Sequence, residues 1–380
     1  MKICAIICEY NPFHNGYLYQ LREAKARTNA DALLCVMSGN FVQRGEAAIV
    51  DKFTRARHAV LAGADVVLEL PTVFATSNAE LFANGAIRLL SSIPDVKTLC
   101  FGAESADKTA FKLAARYLSN EPQEVSETIK REIANGARYA KARAKAWAGF
   151  IPFDLLSSPN NILGLEYTKA ILTQNTDIEI LPIQRTGAGY SETDLREEYS
   201  SATAIRAAIE KGDGIKNQLP PFVFDDLPKR LETCLETLEK YALLATEKAR
   251  IARVCDCTEG LENAFKRTAE ENLPLVETLT SARYTSSRIR RIALQNLLSI
   301  EESLIRAALS DTLYLRVLAV KKERQDVLSA LGESAFPLLV RTADASRLEG
   351  VARAVYEKDL FADQIHALLY ERTRKREIFI

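Results

Sequence analysis

The sequence predicts an α/β protein, in which a parallel sheet covered by helices on both faces is followed by a mostly α-helical second half. Short unbroken apolar runs rich in Ile, Val, Leu and Cys recur through the first half, each followed by a turn signal and a segment of helical period. Runs of this length without polar alternation belong to strands buried on both faces, as in a parallel sheet. After the Leu-Pro-Pro step at 219–221 these runs give way to helical spacing.

The first run, 3–8 (ICAIIC), is closed by Glu9 and by Pro12, which cannot continue a strand ladder. Runs at 32–37 (ALLCVM), 66–70 (VVLEL), 98–102 (TLCFG) and 178–183 (IEILPI) follow. Ligands of such sheets bind at the carboxyl ends of the strands, so chemistry is expected in 9–16, 38–45, 69–71, 102–105 and 184–187. In the second half, Leu231, Leu235, Leu238 and Ala242 form one apolar stripe. Helices are expected near 229–250, 259–272, 286–298, 301–309, 312–321, 323–331, 347–356 and 362–372. The composition change places a boundary at 222–228, giving a sheet domain over 1–225 and a helical domain over 226–380.

The 380 residues carry 50 Lys and Arg against 50 Asp and Glu, with 47% hydrophobic residues. That describes an ordered globular chain whose affinity for any nucleic acid must come from local basic faces rather than net charge. The first apolar run is six residues long, whereas a signal-peptide core needs roughly 7–15 and a membrane span about 20. The expectation is therefore a cytoplasmic protein without membrane association. Seven cysteines without framework spacing read as reduced thiols. The Cys255-Asp256-Cys257 step reads either as core or as a metal or redox pair, and no metal site is assigned. With only His14, His58 and His366 present, a centre built from several imidazoles is nearly excluded.

The strongest signal is E-Y-N-P-F-H-N-G-Y over 9–17, between the first strand and the first helix. Asn15-Gly16 lets backbone approach a ligand where a helix N-terminus presents free N–H groups to anionic phosphate. His14 would donate to the same phosphate; a helix-capping turn histidine is the alternative. The step resembles the His-x-Gly-His signature of the nucleotidylyltransferase and class I aminoacyl-tRNA synthetase superfamily, with Tyr17 in place of the second histidine. Ser201-x-Thr203 opening a helix reads as a cap, yet S-S-A-T-A-I-R at 200–206 also resembles the Ser-Ser-Thr-x-Ile-Arg phosphate signature of that superfamily. Neither a P-loop nor a dinucleotide-binding G-x-G-x-x-G after a strand occurs.

The strings EYNPFHNG (9–16), MSGNFVQRGE (37–46), VLELP (67–71), FGAE (101–104), PNNILGLEY (159–167), SATAIR (201–206) and RYTSSRIRR (283–291) together resemble the tRNA(Met) cytidine acetate ligase family. The resemblance implies a Rossmann-like sheet of the His-x-Gly-His nucleotidylyltransferase type. It implies a ligase that activates acetate with ATP to acetyl-adenylate and then acetylates N4 of the wobble cytidine of elongator tRNA(Met), without acetyl-CoA. Magnesium is expected to accompany ATP. The resemblance places the ATP site on Ile7, Cys8, Glu9, Tyr10, Asn11, Pro12, Phe13, His14, Asn15, Gly16, Tyr17, Leu18, Tyr19 and Gln20. It adds Gly102, Asn160 or Asn161, Arg185 and Thr186, with Ser201, Thr203 and Arg206 on the phosphates. His14 and Tyr17 would be the catalytic pair. Three readings of Tyr17 stand open: it donates in place of histidine; Lys52 or Arg55 supplies the missing charge; or nucleotide binds without turnover, as in a weakened paralogue. A nucleotidylyltransferase with another small substrate is a further alternative.

Two acid-free windows suit RNA. Residues 133–153 contain Arg138, Lys141, Arg143 and Lys145 beside Tyr139 and Trp147; residues 281–300 contain Arg283, Arg288, Arg290 and Arg291 beside Tyr284, with Thr285 as an N-cap. Each also reads as a solvated basic helix face. The resemblance favours the second window for tRNA.

Overall fold

The computed structural model describes residues 1–136, 139–185, 199–228, 231, 233–371 and 378–379, of which 139–141, 144 and 378–379 by backbone alone. The five apolar runs form strands: β1 (Ile3–Cys8), β2 (Ala32–Ser38), β5 (Val66–Leu70), β6 (Val96–Ala103) and β7 (Glu179–Gln184). A short antiparallel hairpin of β3 (Phe41–Val42) and β4 (Glu46–Ala47) interrupts the series. The second half adds β8 (Leu315–Val320), β9 (Leu338–Leu339) and β10 (Ile378–Phe379). The sheet runs β10-β8-β5-β2-β1-β6-β7, with β9 also on β8; all pairings are parallel except β5 with β8.

Alternation along the strands feeds two cores. Ile3, Ala5 and Ile7 of β1 join Leu34, Val36, Leu68 and Phe101 on one face, against the Ala79–Ser91 and Pro159–Thr173 helices. Cys4, Ile6 and Cys8 join Leu33, Cys35, Met37 and Cys100 on the other, against the Asn15–Thr28, Lys52–Leu61 and Ala202–Lys211 helices. Both faces are covered, as the unbroken runs imply. A third core, around Leu243, Ile251, Phe265, Leu275 and Ile289, is purely helical.

Two expectations are corrected. The segment 312–321 is not a helix but contains β8, fully buried beside β5. A six-residue apolar run cannot be assigned to strand or helix by periodicity, and Arg316 within it obscures the strand pattern. The segments 347–356 and 362–372 belong to one helix, Gly350–Leu369, whose polar middle is buried because Asp359 accepts from the Thr72 backbone N–H at 2.7 Å. The step at 225/226 therefore marks a change of composition rather than an edge of the core: strands and helices from beyond residue 300 pack into the same cluster as β1. Among the described residues no helix is long and apolar enough to cross a membrane.

Cys4, Cys8, Cys35, Cys100, Cys255 and Cys257 are buried free thiols and Cys234 is exposed. Burial pushes Cys255 and Cys257 up to about 12, and among the described residues no group of three or more His, Cys, Asp or Glu could hold a metal.

Candidate active site

The chain moves outward from β1 through β2 to β5, then returns to β6 and β7 on the other side of β1. That reversal opens a crevice at the carboxyl ends of β1 and β6, the switch point where open α/β sheets bind ligands. A cavity of about 1050 Å³, open to solvent, lies there. Its walls include Ile7, Cys8 and Glu9 at the end of β1, Phe101 and Gly102 on β6, and Arg185 just past β7. The hairpin supplies Val42, Gln43, Arg44 and Glu46; the Pro159–Thr173 helix supplies Asn160, Leu163 and Tyr167. A second recess of about 460 Å³ shares His14, Tyr17, Gln20, Gly102 and Arg185, and adds Gly16, Tyr19, Ile183, Gln184, Tyr199 and Ser200.

His14 caps the Asn15–Thr28 helix: its backbone is extended (φ −139°, ψ 172°) and its Nδ1 accepts from the Gly16 N–H at 3.1 Å. Capping and ligand donation are thus compatible, because a neutral ring accepting at Nδ1 carries its proton on Nε2. Burial, reinforced by Arg185 and Arg206, lowers the His14 pKa to about 3. A pKa this low leaves the ring a neutral donor at pH 7. Tyr17 stacks on it, with centroids 3.9 Å apart and planes at 28°, and meets Tyr10 edge-on at 4.8 Å.

The Ala202–Lys211 helix points its N-terminus at the same cavity. Ser201 caps it, accepting from the Ala204 N–H at 3.0 Å, and Ser201, Ala202, Thr203 and Arg206 all line the wall. Arg206 donates to the Asn11 carbonyl at 2.8 Å and lies 3.6 Å from Glu46, tying this helix to the 9–17 loop and the hairpin. On the other side Glu104 receives the Asn160 side-chain amide at 2.6 Å and the Asn161 N–H at 2.9 Å, supplying the N-terminal acceptor that Ser158 does not. Burial raises the Glu9 pKa, although its carboxylate accepts from the Gln43 N–H at 2.6 Å.

The cavity thus unites Ile7, Cys8, Glu9, Asn11, His14, Tyr17, Gln20, Gly102, Asn160, Arg185, Ser201, Thr203 and Arg206, while Gly16 and Tyr19 face the second recess. Other expected site residues are placed elsewhere. Tyr10 and Phe13 are fully buried in the core, Pro12 is buried, and Leu18 packs against that core. The Asn15 side chain donates to the Asn217 carbonyl, and Asn161 is fully buried between Ser105 and Asp154. Thr186 lies outside the described residues. Val42, Gln43, Arg44, Glu46, Phe101, Leu163 and Tyr167 were within motif strings but carried no chemical signal of their own, and Phe82, in mid-helix, carried none at all.

Lys52 and Arg55 are not solvated and do not line either space. Lys52 is fully buried, 2.6 Å from both Glu69 and Asp363, with Arg316 2.9 Å from Glu69. The Arg55 guanidinium, also fully buried, binds the carbonyls of Glu9, Ser38, Gly39 and Val50. Both cations are satisfied internally, so neither replaces a histidine at the cavity.

Thr285 caps the Ser286–Leu297 helix as expected. Arg283 pairs with Glu259; Arg288 donates to the Asp256 carbonyl and stacks over Tyr284; Arg290 lies 3.7 Å from Glu46. Arg291 is largely buried toward Asp256, which removes it from a solvent-facing surface. In the first window Arg143 is exposed and Lys145 pairs with Glu132 at 2.7 Å, while Arg138 and the Lys141 side chain lie outside the described residues. Trp147 is a core residue, 2% exposed, and offers no stacking face.

The HIGH Nucleotidyl Transferase family matches residues 1–378. A protein from Thermoanaerobacter sp. (strain X514), named tRNA(Met) cytidine acetate ligase, is 37% identical over 98% of this chain and 96% of its own. A protein of the same name from Thermosipho africanus (strain TCF52B) is 36% identical over 99% of this chain and 97% of its own. Among solved structures, apo TmcAL from Thermotoga maritima superposes with a TM-score of 0.87 at 30% identity, covering 97% of this chain and 95% of that one. A crystal form of that protein bound with alpha-thio ATP gives the same TM-score at 28% identity over the whole of both chains. Matched along its full length in sequence and in fold, the chain belongs to the HIGH nucleotidyl transferases and, within them, to the tRNA(Met) cytidine acetate ligase family.

Proposed function

We propose that this protein is an ATP-dependent tRNA(Met) cytidine acetate ligase, forming acetyl-adenylate and then acetylating N4 of the wobble cytidine of elongator tRNA(Met). The observation that carries this reading is the convergence of His14, Gly102, Arg185, Ser201, Thr203 and Arg206 on one cavity at the switch point. ATP lies across the strand ends, its phosphates between His14, the N-terminus of the Asn15–Thr28 helix and the N-terminus of the Ala202–Lys211 helix. Nε2–H of His14, the Tyr17 hydroxyl and the two arginines face charge developing on the α-phosphate. The acetate carboxylate attacks that phosphorus and pyrophosphate leaves. No acyl-enzyme is needed, and catalysis is positioning plus charge stabilisation. Magnesium would accompany ATP. The tRNA lies over Arg288 and Arg290, with Arg283, Arg143 and Lys145 as further phosphate contacts.

Incubation with ATP and labelled acetate, with and without elongator tRNA(Met), tests the reading. Acetyl-AMP and pyrophosphate should form without RNA, and acetylcytidine only with it. ATP binding without any of the three products sinks the ligase and leaves a binding protein; pyrophosphate release with another small substrate but not acetate identifies a different nucleotidylyltransferase.

A further inference from the structure

The 9–17 loop carries His14 and Tyr17, and its first residues are fixed from beneath the cavity. The ladder between β1 and β2 stops at the pair Cys8 and Met37. Past it the two chains part: Glu9 opens the loop, while Ser38 and Gly39 lead to the hairpin. A buried carbonyl left at such a parting without a donor is costly.

Arg55, fully buried on the Lys52–Leu61 helix, takes up these carbonyls. Its Nη1 donates to Glu9 and Ser38, its Nη2 to Gly39 and its Nε to Val50. One planar group thereby ties the end of β1 to the end of β2 and to the start of its own helix. Two further bonds join the same segments: the Gln43 N–H donates to the Glu9 carboxylate at 2.6 Å, and the Ile49 N–H to the Asn11 side-chain oxygen at 2.9 Å. Four carbonyls call for a rigid fork of five donors; a lysine ammonium has three and binds as a point charge.

We propose that Arg55 is a positioning residue for the nucleotide site: it sets the spacing between the 9–17 loop and the 38–50 segment and, through Glu9, the placement of His14 and Tyr17. The inference rests on the reading of the cavity as the ATP site. Arg55 itself touches no substrate. Its loss lets the loop part from the hairpin and admits water to His14. A shift of about 1 Å at the reacting groups is enough to cost about a hundredfold in rate.

Arg55→Lys keeps the buried charge and gives up the fork. Burial, Arg185 and Arg206 lower the His14 pKa, so a variant that keeps the charge at 55 moves that pKa only through the position of the loop. In imidazole ¹⁵N titrations the His14 inflection of Arg55→Lys should come into view above about pH 5, as partial hydration returns the ring toward its ordinary value. The Kd for ATP should rise at least about tenfold, the size of one lost charge-assisted hydrogen bond. Lys52→Met removes the neighbouring buried cation and none of these carbonyl bonds, so it should lower stability and leave the His14 inflection unmoved. An unmoved inflection in folded Arg55→Lys, or the same shift in Lys52→Met, overturns the proposal. Should Arg55→Lys not fold, the wild-type protein still decides: its Arg55 Nη protons should give separate, slowly exchanging signals in side-chain ¹⁵N spectra, and a freely rotating guanidinium overturns the clamp. If the wild-type protein binds no ATP, the reading of the cavity fails, while the His14 inflection still decides whether Arg55 places the loop.

Discussion

A protein with three histidines, one of them in the reacting site, allows a direct test of the electrostatics. Burial and the two arginines lower the His14 pKa from the usual 6.5 to about 3. At 1.36 kcal/mol per pH unit this is about 5 kcal/mol of preference for the neutral ring. Above pH 6.5 the ring is neutral in both the folded and the unfolded chain. Between 6.5 and about 3 the unfolded chain binds a proton that the folded chain refuses, so this residue's contribution to stability is lost as pH falls through that window. Imidazole nitrogen shifts from a ¹⁵N-labelled sample, assigned with a His14→Gln variant, would report the titration. The His14 signal should stay neutral down to about pH 5, and saturating ATP, whose phosphates bring negative charge, should move its inflection upward. An inflection between pH 6 and 7 in the empty protein would refute the argument.

Four other outcomes are expected. Tyr17→His should change acetate-dependent exchange by less than about tenfold at pH 7, because the burial and the two arginines that keep His14 neutral also disfavour a charged ring stacked on it; a gain beyond about a hundredfold would show that a full transition-state donor is missing. Arg206→Ala removes a charge-assisted anchor on the Asn11 carbonyl and should weaken ATP binding by about 1.5–3 kcal/mol in calorimetry, while raising the His14 inflection. Lys52→Met leaves Arg316, among the described residues, as the one remaining cation beside two buried carboxylates, Glu69 and Asp363, and should cost about 3–5 kcal/mol in urea unfolding; a loss below about 1 kcal/mol contradicts the buried network. Arg290→Ala should reduce the salt slope of tRNA binding by about 1, whereas Arg291→Ala should lower stability and leave that slope unchanged.

The β-strands of the first half were legible because β1, β2 and β5 are buried on both faces and the partly exposed β6 and β7 still keep apolar centres, so that each reads as a short, mainly apolar run. The 9–17 loop and the 200–206 segment were legible because capping and phosphate binding use the same residue types at a helix start. What failed has a common cause. Arg316, Asp359, Lys52 and Arg55 are charged residues that look solvated in sequence and are buried in space, each satisfied by partners distant along the chain. Arg316 hid a strand, Asp359 split a helix, and Lys52 and Arg55 were offered a role at a cavity they do not reach.

By itself, then, the sequence determined the parallel α/β core, the loop after the first strand that lines the cavity, and the family. Only the tertiary structure decided which of fourteen consecutive residues, 7–20, face the cavity and which, like Tyr10 and Phe13, are core. It alone showed that the second half completes the sheet, that Phe82 lines the site, and that His14 is buried beside two arginines that lower its pKa. Local pattern encodes what a residue does with its neighbours in the chain, whereas the pairing of buried charges, the walls of a cavity and the field on a titrating ring depend on elements that meet only when the chain folds.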